Sequence, residues 1–208
     1  MIDKALRAAL DGALTDPDWL DRALERITAD PKAIEELFPA AGRHCGRGPL
    51  PQPGLGYLGW GVDDAARTLL LTALPSESAA SLTAAVTALY QYGDAAEKRG
   101  VLRALTRLDL GDGAVDLLRD ALRTNDTRLV AAAMGPYARH LDAEAWRQGV
   151  LKCVFMEIDL AVIDGLDERA DAELARMLEG LAAERKAAGR TIPADAYALL
   201  DRLSARFH

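Results

Sequence analysis

Aromatic residues make up only 5% of this 208-residue chain, which also carries just two cysteines. Sparse aromatic and β-branched residues disfavour strands, because those side chains fit a pleated surface best. Two cysteines outside any CxxC pair cannot build a disulfide framework, so a reducing compartment, the cytoplasm, is expected. No apolar run approaches the roughly 20 residues that a membrane span needs. The amino-terminal stretch, charged at Asp3, Lys4 and Arg7, does not read as a signal peptide. Basic excess is missing too. With a net charge of -7 and a pI of about 5.0, neither nucleic acid nor an anionic membrane surface is the expected main partner.

What is present is alanine, leucine and arginine, within a chain that is 50% hydrophobic and 27% charged. Alanine and leucine are strong helix formers. Leu174, Met177, Leu178, Leu181 and Ala182 follow the i, i+3, i+4, i+7, i+8 spacing of one helix face, and Val101, Leu102, Leu105 and Leu108 approach it. The fold class is therefore all-α. Asp16-Pro17, Asp30-Pro31 and Pro193 mark helix starts, and Asp94, Asp112, Asp126, Asp142 and Asp171 are further N-terminal acids. These signals predict helices over 3–14, 17–28, 31–41, 62–74, 77–91, 94–108, 112–123, 126–139, 142–157, 171–188 and 194–206.

From about Asp63 to Met156 the helices fall in pairs with short turns. That spacing suggests a short HEAT- or TPR-like helical-repeat stack, with an irregular helical bundle as the alternative. Residues 43–61 interrupt it, dense in glycine and proline. The expected organisation is N-terminal helices over 1–42, this loop over 43–61 and a main helical array over 62–208, forming one compact domain. Leu55, Tyr57 and Trp60 suggest that part of the loop packs down.

Chemistry-bearing motifs are few. Gly54 to Gly59 spells G-x-G-x-x-G, but Pro51 and Pro53 replace the required strand and no acid follows at the required distance, so it reads as a loop. His44-Cys45, His140, Cys153 and His208 are too scattered for a metal site, and no metal or other cofactor is expected. No G-x-S-x-G elbow occurs. Cys153 sits in an apolar helical segment and is expected to be buried and inert. His140 closes a helix, where a cation suits the dipole. Ser76, Ser78 and Ser81 suit a helix cap. One cluster stands out: Asp164-Gly165-Leu166-Asp167-Glu168-Arg169, charged, irregular and followed by a strong helix. It reads equally well as a binding loop or as turn acids leading to the Asp171 cap.

Several segments carry a family resemblance. They are Leu151-Lys152 with Phe155, Gly165 through Ala170, Glu173 through Leu178, and Glu184-Arg185 through Arg190. Upstream lie Gly46 through Leu50, Gly59-Trp60 and Ala65 through Leu71. Together, over residues 46–190, the chain resembles the EboA family. The resemblance implies a bacterial secondary-metabolism setting beside a membrane prenyltransferase and sugar-isomerase-like or cyclase-like enzymes. It implies handling of a small metabolite and supplies no catalytic residues. Met156-Glu157-Ile158-Asp159 is more acidic than the family pattern, which suggests a specialised member serving one natural-product pathway.

Two functional readings follow. The first is a non-catalytic helical module that binds or traffics a metabolite, or docks a pathway enzyme or the membrane prenyltransferase. Its candidate binding residues are Asp167, Arg169, Arg176, Arg67 and Trp60. The second is a cofactor-independent cyclase, isomerase or lyase using Glu157, Asp159 and Asp167 for acid–base work, since neighbouring carboxylates can be driven to different pKa values. The lack of a recognisable catalytic constellation favours binding.

Overall fold

The computed structural model describes residues 4–51, 58–75 and 78–207. Leu55, Tyr57 and most of the G-x-G-x-x-G string lie outside the described residues, as do Ser76 and His208. The fold is all-α: among the described residues there are twelve α-helices, four short 3-10 turns and no strand. The chain divides into two compact units, residues 1–117 and 118–208.

The first unit holds α1 (Lys4–Leu10), α2 (Pro17–Ala29), α3 (Ile34–His44), α4 (Val62–Thr72), α5 (Ala79–Tyr92) and α6 (Ala95–Ala104). Helix α4 is its axis. Every residue from Val62 to Leu71 is buried, as expected of a helix surrounded on all sides by α1, α2, α3 and α6. The helix starts follow their caps: Asp16 accepts from the Trp19 amide, Ser78 from that of Ser81 and Asp94 from that of Glu97. The glycine- and proline-rich segment closes on itself just before α4. Leu50 donates to the Trp60 carbonyl and Val62 to that of Gly48, an isolated antiparallel bridge that sets where α4 begins.

Helix α7 (Val115–Arg123) spans the division between the units. The second unit contains α8 (Thr127–Ala133), α9 (Ala143–Phe155), α10 (Leu166–Arg169), α11 (Ala172–Ala187) and α12 (Ala194–Phe207). Helix α9 packs on α8 and α11, and α11 packs on α12. Trp146, Val150, Cys153, Leu174, Leu178, Leu199 and Leu203 form the buried core. The helix predicted over 126–139 is broken. Helix α8 stops at Ala133, and Pro136 opens a separate 3-10 turn to His140, because proline lacks an N–H and disfavours helix at the residue before it. Residues 157–170 hold a 3-10 turn at Leu160–Val162 and the single-turn α10.

Candidate functional site

Helices α9 and α11 bury one face each and leave another side by side. On α9, Trp146, Val150, Cys153 and Val154 turn into the core, while Leu151, Lys152 and Phe155 line a groove. On α11, Leu174, Ala175 and Leu178 are buried, while Arg176, Met177, Gly180, Leu181 and Glu184 line the opposite wall. Asn125 and Met156 complete the lining of this open groove, whose volume is about 550 Å³. Phe155 stands 60% exposed at its edge.

The groove is pinned at both ends. Asp171, the N-cap of α11, accepts from the Leu174 amide and takes a two-pronged contact from Arg147 of α9 at 2.7 and 3.0 Å. The Arg147 hydrogen bonds hold the Asp171 carboxyl below the ordinary carboxylate range. At the far end Arg185 of α11 donates to the Phe155 carbonyl at 2.7 Å and lies over the Phe155 ring at 4.6 Å. Start meets start and end meets end, so α9 and α11 run in the same direction.

Polar groups on the lining differ in their commitments. Glu173 grips Arg176 through both carboxylate oxygens at 2.6 and 2.9 Å. Glu184 is exposed. Lys152 is half-buried, and its ammonium forms no hydrogen bond or ion pair with another described residue. Gly180 adds open space: a Cβ built there would meet no atom within 4 Å.

A second polar assembly lies in the first unit. Asp63 and Asp64, at the buried start of α4, face Arg67 of the same helix and Arg99 and Arg103 of α6. Arg67 donates to Asp63 at 2.6 Å and to the Phe38 carbonyl at 3.2 Å. Arg99 bridges both carboxylates. Arg103 joins Asp64 to the Gly59 carbonyl and lies 5.5 Å from the centre of the Trp60 ring. Burial pulls Arg103 below the ordinary arginine pKa, opposed mainly by Asp64. Three glycines make room for these groups. A Cβ on Gly100 would sit 2.7 Å from Arg67 Cδ, on Gly61 2.6 Å from Asp63 Oδ1, and on Gly42 3.4 Å from Arg67 Nη2. The assembly fastens the exit of the glycine- and proline-rich segment to α6.

The residues singled out from sequence fall in several places. Arg67 and Trp60 belong to the ion network of the first unit, and Arg176 lines the groove. Arg169 is committed to structure, donating to the Ala138 and Leu141 carbonyls at 2.7 and 2.9 Å with its guanidinium over the Trp146 ring. Asp167 is exposed and pairs with Arg202 at 3.2 Å. Asp159 caps the 3-10 turn through the Ala161 amide. Glu157 follows α9 in the left-handed region at φ 58°. Neither Glu157, Asp159 nor Asp167 lines the groove.

Cys45 and Cys153 are free and buried, and burial pushes both thiols up to about 12. Among the described residues no cluster of side chains could hold a metal ion, and no helix is long and apolar enough to cross a membrane.

Sequence reasoning missed Lys152, Phe155 and Gly180 as neighbours, and missed Arg99 and Arg103 as partners of Asp63 and Asp64. The available signals were a mid-helix glycine in α11 and an Asp-Asp-x-x-Arg start on an otherwise apolar helix.

The family model described as metabolite traffic protein EboA matches residues 52–201. The chain belongs to the EboA family. The matched EboA region includes all the groove-lining residues and the five charged residues of the α4–α6 network. No curated protein and no solved structure matches the chain.

Proposed function

We propose that this EboA chain binds a small metabolite in the groove between α9 and α11, and that this binding is its part in metabolite traffic. The observation that carries the reading is Gly180. Glycine inside a helix costs about 0.5–1 kcal/mol relative to alanine, so it needs a reason. Gly42, Gly100 and Gly149 have one, since a Cβ on each would crowd Arg47, Arg67 and Met134 respectively. At Gly180 nothing is crowded, and the space above it is the groove itself. A volume of about 550 Å³ lies in the range that holds a drug-sized ligand. Met156 and Met177 supply polarizable walls that adapt to a ligand's shape.

The test is an amide NMR titration of the whole chain with the neutral dye Nile red. The expected result is a set of shifts concentrated in residues 151–156 and 176–184. Shifts concentrated elsewhere, or none at saturating dye, would overturn the assignment.

A further inference from the structure

The groove's polar groups constrain what its ligand carries. Arg176 is neutralised by Glu173, and Arg185 is engaged at the Phe155 carbonyl and ring, its Nε buried with no acceptor. Glu184 is exposed and solvated, so it needs no partner. Lys152 is different: it is half-buried in the lining and has no carboxylate or carbonyl to meet. Across the groove and its ends, Arg147, Lys152, Arg176 and Arg185 stand against Asp171, Glu173 and Glu184, one positive charge in excess. This local excess sits in a chain of net charge -7. An unpaired lysine cation beside apolar walls suits an anion arriving on an apolar carrier.

Resting on the groove reading, we infer that the ligand is a single-bodied amphiphile with one anionic group. Its apolar body lies over Gly180 against Phe155, Met177 and Leu181, and its carboxylate, or another anion of that size, meets the Lys152 ammonium. The source is a free metabolite, not a lipid surface, since about 550 Å³ suits one drug-sized molecule.

The experiment compares dodecanoate with dodecanol, each in monomeric form, by calorimetric titration into the wild-type chain, Lys152→Gln and Gly180→Leu. A charge-assisted contact predicts that the wild type prefers dodecanoate by about tenfold. Lys152→Gln is expected to erase that preference while keeping the dodecanol affinity, and Gly180→Leu to abolish both. Equal affinities in the wild type, or a preference that survives Lys152→Gln, would overturn the anionic class. In those cases loss of binding in Gly180→Leu would leave the groove reading standing. Undiminished dodecanoate binding in Gly180→Leu would overturn both readings. Retention of the chain on phosphatidylglycerol vesicles, with no response to monomeric dodecanoate, would replace the free metabolite by a lipid surface.

Discussion

Arg67 lies at the buried centre of the first unit, and its guanidinium is stable there only because Asp63 and the Phe38 carbonyl receive it. Removing one member of a buried pair strands the other, at a cost of about 3–5 kcal/mol. Arg67→Met is therefore expected to lower the unfolding free energy by about 3 kcal/mol in a denaturant titration, since Arg99 still touches Asp63. Gly100→Ala belongs to the same locale. Its new Cβ, 2.7 Å from Arg67 Cδ, forces α4 and α6 apart, and overpacking costs about 1–3 kcal/mol. That outweighs alanine's better helix propensity, so a net loss is expected; a gain would mean that α6 yields freely. The two thiols report on packing in another way. With both held at about 12 by burial, Cys45 and Cys153 are expected to resist iodoacetamide at pH 8 until the chain is unfolded.

Helices α9 and α11 form the groove because each is capped and then tied to the other. Asp142 caps α9, its carboxyl lowered first by the Ala145 amide and then by Arg119. Asp171 caps α11 and is lowered first by Arg147. A carboxyl with a lower pKa folded than unfolded stabilises the fold above the unfolded aspartate value, near 3.9. That contribution is lost as the pH falls through the folded value. The melting temperature is thus expected to fall as the pH drops from about 5 through the lowered folded values. Asp171→Asn, which retains a capping side chain but loses the charge, is expected to flatten part of that slope. An unchanged slope would show that the Arg147–Asp171 tie adds nothing to stability.

At the scale of the whole molecule, much of the fold was legible because helix starts are written locally. Asp16, Asp94, Asp126, Asp142 and Asp171 all cap where their position before apolar periodicity places them. The break after Ala133 was legible in Gly135-Pro136 but was overridden by the apolar spacing around it. The candidate site was much harder to read. Leu174, Met177, Leu178 and Leu181 look like one core stripe in sequence. In the fold, Leu174 and Leu178 are buried, while Met177 and Leu181 line the groove, a split that depends on where α9 lies. In the ion network, Arg99 and Arg103 likewise reach Asp63 and Asp64 from 35 to 39 residues away, where spacing rules say nothing. Arg169 resembled a binding group because charged loops usually face solvent, and its carbonyl partners at Ala138 and Leu141 come from a distant turn.

Gly180 leaves open the space that the proposed ligand fills. The most direct test of this is a paired measurement on Gly180→Leu: unfolding free energy by denaturant titration, and affinity for Nile red. Opposite signs are expected, with stability unchanged or raised by up to about 1 kcal/mol and dye binding lost. A variant that loses stability and binding together, or that binds the dye as the wild type does, would contradict this expectation.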